Sequence, residues 1–268
     1  MKLCILFSII SIILLIIFLR RKTLTLTQAL IPKIIFTFWS SNDESHTALT
    51  RECISTWSEH NPSWQIVILD DNLISKYAPN TYSKQFASVQ SYSDAIRLEV
   101  LERFGGVWID ASVYMNEPLD WVHDAQKKYR ATLIGFQNPI RPHINIMENW
   151  FIACTPRHPF ISAWRECTLG VHDTQDFLNG IDPLIVSSVE DPFYLLHNVC
   201  WKVTYNLNPK MQQSIQLLDS QNTVFRLHHM SHWDPDTFAS NFKKHKKIIR
   251  PFIKLTSTER NAILKSDS

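Results

Sequence analysis

Four polar residues near the middle of the chain stand at spacings suited to handling an anionic ligand: Asp94, Arg97, Asp110 and Ser112. Asp94 and Arg97 are three apart, so on a helix they share a face. A guanidinium oriented by an acid is well matched to phosphate oxygens or sugar hydroxyls. Asp110 and Ser112 are two apart, so on extended chain both side chains point to one side. A carboxylate there is a hard oxygen ligand of the kind Mg²⁺ or Mn²⁺ takes. Taken singly, these residues have plainer readings as a helix-capping acid, a local ion pair and a strand-end turn.

The elements that must position them lie within residues 91–113, SYSDAIRLEVLERFGGVWIDASV. Ser91 and Asp94 have the spacing of a capping box. Ala95, Leu98, Leu101 and Phe104 recur every three residues, which predicts a helix with one apolar face. Gly105-Gly106 ends it and permits a left-handed turn. Residues 107–109 are a short apolar strand with Asp110 at its carboxyl end, where open α/β sheets bind ligands. Upstream, the runs at 34–39 and 64–69 read as buried strands, the second ending in Asp70-Asp71. Helical spacing covers 49–60, and a short helix is expected over 72–77. This β-α-β-α-β order predicts a doubly wound α/β sheet. Beyond Val113 the pattern predicts helices at 118–129, 160–169 and 191–206, the last opened by Asp191-Pro192. Strands are expected at 131–136, 148–154, 215–218 and 223–227.

With 268 residues, 45% of them hydrophobic, the chain suffices for one sizeable domain. A formal net charge of +2 does not point to a nucleic-acid partner. Gly is scarce, at 5 residues, and forms no dinucleotide-type loop or Walker A pattern. The cysteines form no CxxC pair, which argues against a zinc site.

Residues 3–19 carry no charge and would span about 25 Å as a helix. Lys2 precedes them and Arg20-Arg21-Lys22 follow, so residues 1–22 read as a single-pass membrane anchor rather than a cleavable signal peptide. Two orientations stay open. The basic flank favours a cytoplasmic-face domain, whereas an enzyme of the Golgi or ER type has the opposite one. Residues 23–30 are then a tether, 31–240 the main folded domain and 241–268 a basic C-terminal tail, read as a solvated face.

Three blocks carry a family resemblance: IPKIIFTFW at 31–39, SDAIRLEVLERFGGVWIDASV at 93–113, and ENWFIACTPRHPF at 148–160 with DPFYLLH at 191–197. They resemble the DXD-containing glycosyltransferases of the capsular polysaccharide synthesis and related mannosyltransferase group (family 32-like). The resemblance implies a GT-A-type, Rossmann-like fold that binds a nucleotide-diphosphate sugar. It also implies a divalent metal, Mn²⁺ or Mg²⁺, and hexose transfer to a glycan or glycolipid hydroxyl with retention. Asp94 and Arg97 match the donor-binding and catalytic SDxxR positions. Asp110 matches the first, metal-binding acid of the DXD, and Trp39 an aromatic that stacks on the nucleobase. Ser112 stands where the DXD has its second acid. His229 or His232 would be the C-terminal residue that returns to the metal. Asn149, Asp191 and His197 are acceptor-side candidates.

Two other readings compete. In one, Ser112 marks a catalytically degenerate domain that binds glycans or partners. In the other, Asp110 and Glu117 are the acid pair of a glycoside hydrolase.

Overall fold

The computed structural model describes residues 29–40, 44–138, 144–192 and 195–267. Its centre is a six-stranded sheet in the order β2-β1-β3-β6-β5-β7. Strand β1 (Ile34–Phe38) lies between β2 (Gln65–Leu69) and β3 (Gly106–Ile109), parallel to both. Strand β6 (Met147–Cys154) runs antiparallel to β3 on one side and to β5 (Leu133–Gln137) on the other. Strand β7 (Ile215–Leu218) closes that edge, parallel to β5. The sheet is therefore mixed rather than wholly parallel, because β6 runs against its neighbours.

The near-continuous apolar runs follow from burial on both faces. Phe36, Trp108 and Ile152 pack into one core with Leu98, Leu101 and Trp164. The alternate residues Ile35, Val107, Ile109, Phe151 and Ala153 pack into another with Trp57 and Val122.

The helix at Val89–Phe104 feeds β3. Its cap is Ser88 rather than Ser91: the Ser88 Oγ accepts a hydrogen bond from the Ser91 N–H at 3.1 Å. Asp94 therefore sits beyond the first turn and is free of a capping duty. The expected single apolar face is also too narrow, because every residue from Ala95 to Leu101 is buried. Buried Glu99 is satisfied by Thr81, whose N–H and hydroxyl donate to it at 2.8 and 2.7 Å, and by Asn80. The helix ends at Gly105, with φ +63°. A Cβ there would lie 2.5 Å from Pro156 N, and one at Gly106 2.6 Å from the Ile34 carbonyl oxygen.

A second, two-stranded sheet pairs β4 (Val113–Met115) antiparallel with β8 (Phe252–Lys254). This corrects the reading of 241–268 as a solvated tail. Phe242, Ile249, Ile253, Leu255, Ala262 and Ile263 are buried in a third core with Leu49, Cys53 and Tyr114. The cationic residues that suggested a tail alternate with these apolar ones, and Lys243, Lys244 and Lys247 stay exposed while the chain between them folds inward.

Other boundaries move as well. The helix expected from 49 starts at Glu44. Residues 223–227 are not a strand: 223–225 form turns, and 226–227 open a short helix at Arg226–Met230. Asp219 winds this segment by accepting from the Gln221 N–H at 2.8 Å and the Asn222 amide at 2.7 Å. The helix expected from Asp191 begins at Leu196. Among the described residues no helix is long and apolar enough to cross a membrane; residues 3–19, the expected anchor, lie outside them.

Candidate active site

A cleft of about 680 Å³ opens beyond the carboxyl ends of β1 and β3. Six stretches of chain converge on it. Strand β1 runs into it at Phe38 and Trp39, and β3 delivers Asp110 and Ser112. The Val89–Phe104 helix contributes Ser93, Asp94 and Arg97. Because β6 is antiparallel, its first half lies at the same edge: the Asp110 N–H donates to the Trp150 carbonyl at 2.9 Å, and Asn149 lines the cleft. Residues 254–260 supply Lys254 and Arg260, and residues 195–198 bring His197.

Arg97 is the fixed point of this arrangement, its side chain 4% exposed. Nη1 donates to Asp94 Oδ1, and Nη2 to Asp110 Oδ1 at 3.2 Å. The guanidinium also lies 5.1 Å from the centre of the Trp108 ring. Asp110 Oδ1 accepts a second bond from Trp108 Nε1 at 3.0 Å. Its other oxygen, Oδ2, takes the Lys254 ammonium at 2.9 Å, and the same ammonium donates to Ser112 Oγ at 2.9 Å.

This network pushes the two acids in opposite directions. Burial raises Asp94, Asp110 adds to the push and Arg97 opposes it, leaving the carboxyl at about 6. Burial would raise Asp110 too, but Lys254 and then Arg97 outweigh it and bring Asp110 down to about 2. At neutral pH both are ionised. Arg97, Lys254 and Arg260 then outnumber the cleft's two carboxylates, which suits an anionic ligand.

The structure thus brings together Trp39, Asp94, Arg97, Asp110, Ser112, Asn149 and His197. Asn149 Nδ2 donates to Asp94 Oδ1 at 3.3 Å. Trp39 carries the Arg260 guanidinium 5.5 Å above its ring. His197 is buried against Trp164, ring centres 4.2 Å apart, and burial holds its pKa well below the usual histidine range. It is a neutral imidazole, and among the described residues neither ring nitrogen has a partner.

Other candidates fall elsewhere. Asp191 is exposed and is not part of the cleft lining. His229 and His232 are also exposed and outside it, His229 lying edge-on to Trp233. Asp70 caps the helix at Asp71–Tyr77 by accepting from the Leu73 N–H at 2.8 Å. Glu117 is not in the lining either, so it is not placed to pair with Asp110 as the hydrolase reading requires.

Lys254 and Arg260 are the cationic cleft residues that the sequence pattern does not single out. The available signal was the apolar pattern around them, Phe252, Ile253 and Leu255, which is too short to separate a strand from a tail.

The donor set fits a divalent metal poorly. Asp110 offers the cleft a carboxylate whose two oxygens already hold Arg97 and Lys254, and Ser112 adds a neutral hydroxyl. Among the described residues no group of three or more His, Cys, Asp and Glu is placed to hold an ion.

Fold and cleft together define an α/β protein with a cationic ligand site at the carboxyl edge of a mixed sheet. Residues 17–263 match the capsular polysaccharide synthesis protein family, and the chain belongs to that family. It is 26% identical over 154 residues to the O-glycosyltransferase braB of Annulohypoxylon truncatum, covering 50% of this chain and 36% of that one. It is 27% identical over 139 residues to inositol phosphoceramide mannosyltransferase 1 of Schizosaccharomyces pombe, covering 49% of this chain and 40% of that one. The chain thus spans about two fifths of the length of the curated relatives it matches. Among solved structures, a glycosyltransferase involved in glycosylation of the major capsid of PBCV-1 aligns over 87% of this chain and 98% of its own. That overlay has 11% identity and a TM-score of 0.43, too distant a likeness to carry weight.

Proposed function

We propose that this protein is a glycosyltransferase of GT-A type that moves a hexose from a nucleotide-diphosphate sugar to a hydroxyl of a glycan or glycolipid, with retention. The observation that carries it is the Arg97 bridge between Asp94 and Asp110 at the mouth of the parallel strands. The family and the names of the relatives point the same way.

In this reading Arg97, held by two carboxylates, turns its remaining donor capacity to the donor's phosphates or sugar hydroxyls. Trp39 supports the nucleobase by stacking. Asp94 and Asn149 face the sugar, and His197 contributes a neutral wall on the acceptor side. The bond from C1 of the sugar to the phosphate oxygen breaks with its electron pair going to that oxygen. The acceptor hydroxyl oxygen bonds to C1 on the same face, and its proton passes to the departing phosphate. No enzymic nucleophile is then required.

Residues 1–22 are proposed to tether the domain to a membrane, which membrane fractionation of the full chain before and after alkaline extraction would test. Recovery in the extracted supernatant argues against an anchor.

A binding module is the competing reading, favoured by neutral Ser112 in the motif. Release of nucleoside diphosphate from a panel of nucleotide sugars, with acceptor saccharides and glycolipids supplied, separates the two. The transferase reading requires release that Asp110→Asn abolishes. Binding of donor with no turnover on any acceptor supports the module.

A further inference from the structure

The ammonium of Lys254 sits where the resemblance would place a metal ion. Its Nζ is 2.9 Å from Asp110 Oδ2 and 2.9 Å from Ser112 Oγ, the first and third residues of the motif. The side chain is 12% exposed and lines the cleft, so it is a built-in group rather than a surface lysine folded over. Its backbone is clamped as well. Lys254 pairs with Val113 across the β4–β8 ribbon, and the next N–H, of Leu255, donates to the Ser112 carbonyl at 2.9 Å. The ribbon thus sets the lysine against the motif by main-chain register.

Chemistry explains the match. A second acid in place of Ser112 would give Lys254 two carboxylates and leave the motif competent to hold a dication. With a hydroxyl there, one carboxylate meets one ammonium on Oδ2 and one guanidinium on Oδ1. A dication would have to displace a hydrogen-bonded ammonium, to reach a site with a single anionic ligand. The ammonium has three N–H donors. Two are directed to Asp110 and Ser112, which leaves the third for a ligand in the cleft.

We infer that Lys254 is the cation that stabilises the departing diphosphate in this protein, in place of a divalent metal. The inference rests on the transferase reading above. During transfer, negative charge gathers on the phosphate oxygen as its bond to C1 breaks. Lys254 donates a hydrogen bond to the diphosphate throughout and neither gains nor loses a proton. Arg97 holds Asp110 from the other side, so the carboxylate that orients the lysine does not turn toward the phosphate.

The test is calorimetric titration of the full chain, in mild detergent, with UDP and with GDP, each in excess EDTA and again with Mn²⁺. One of the two diphosphates is expected to bind with affinities in EDTA and Mn²⁺ that agree within about 2-fold. Lys254→Met should weaken that binding by about 10- to 100-fold, the range of one charge-assisted hydrogen bond. Lys254→Arg should keep it within about 5-fold, since charge and reach persist. Affinity lost in EDTA and restored by Mn²⁺ overturns the inference while leaving the transferase reading standing. So does an unchanged affinity in a folded Lys254→Met. Failure of both diphosphates to bind under either condition removes the transferase reading and the inference with it. Should Lys254→Met not fold, the wild-type EDTA comparison and Lys254→Arg decide the matter.

Discussion

Lys254 Nζ lies 2.9 Å from Asp110 Oδ2 although 144 residues separate them in the chain. That contact joins the helix-turn-strand in the middle of the sequence to the ribbon near its end. It explains why Asp110 keeps its charge in a buried setting, and several expectations follow from the same network.

Asp110→Asn leaves Lys254 and Arg97 facing a neutral amide. Because the folded pKa of Asp110 lies below its ordinary value, its contribution to stability is complete above about pH 4 and fades as pH falls toward 2. The substitution should cost about 2–3 kcal/mol at pH 7. In denaturant titrations the gap between variant and wild type should narrow from pH 4 to pH 3. A gap that stays constant over that range would mean the carboxylate charge is not what stabilises the fold here.

Asp94 behaves oppositely. Its folded pKa, about 6, lies above the unfolded one, so the ionised form costs stability above pH 6 and the cost is relieved as pH falls toward 4. Asp94→Asn should therefore be neutral or stabilising at pH 7.5, by as much as about 2 kcal/mol. Turnover should nevertheless fall, because Arg97 loses one of its two carboxylates. In wild type, kcat/KM should decline as pH drops through 6, and Asp94→Asn should lack that limb. A variant that retains the limb would reassign it to another group.

Arg97→Lys cannot reproduce two branches of a planar fork aimed at two different acids. Nucleoside diphosphate release should drop by about 100-fold, with thermal stability reduced but the fold retained. Activity within a few-fold of wild type would show that charge alone suffices at this position.

Trp39→Ala should weaken nucleoside diphosphate binding by about 10-fold or more, as expected for loss of one base–aromatic stack. Inorganic pyrophosphate, which has no base, should be unaffected by the same change. If both ligands weaken equally, Trp39 acts on the phosphates, through its contact with Arg260, rather than on the base.

Gly105→Ala should destabilise by more than about 3 kcal/mol or prevent folding. The residue has φ +63°, and the added Cβ would stand 2.5 Å from Pro156 N and 2.8 Å from the Cys154 carbonyl oxygen. Gly170→Ala provides the contrast: a Cβ there meets nothing within 4 Å, and the change should be neutral or stabilise by up to about 1 kcal/mol. Equal effects at the two positions would show that the turn does not require glycine at 105.

The helix, the double glycine, the strand and the terminal acid were legible in the sequence because each depends on neighbours a few residues away. Leu98 and Leu101 mark a buried helix by spacing, Gly105 marks the turn by lacking a Cβ, and the run Val107–Ile109 needs only its own apolar character to read as a buried strand. The cap lies three residues before the one the spacing predicts, because Ser88 and Ser91 are both competent and the choice depends on where the preceding chain enters. Residues 223–227 look like a strand by composition, but the Asp219 side chain winds the segment preceding the Arg226–Met230 helix into turns.

What local pattern could not hold is pairing across the chain. The reversal of β6, which brings Asn149 to the site, depends on which edge of β3 it joins. The β4–β8 register depends on burying Phe242, Ile253 and Ile263 against Tyr114 and Leu49. By itself the sequence determined that Asp94, Arg97 and Asp110 share a face and a strand end. Only the tertiary structure decided that His197 is buried and neutral, that His229 and Asp191 stand apart from the cleft, and that a lysine from the far end of the chain completes the motif at Ser112. The physical reason is that a contact spanning 144 residues is selected by the packing of whole elements, and no window of sequence around either partner contains that information.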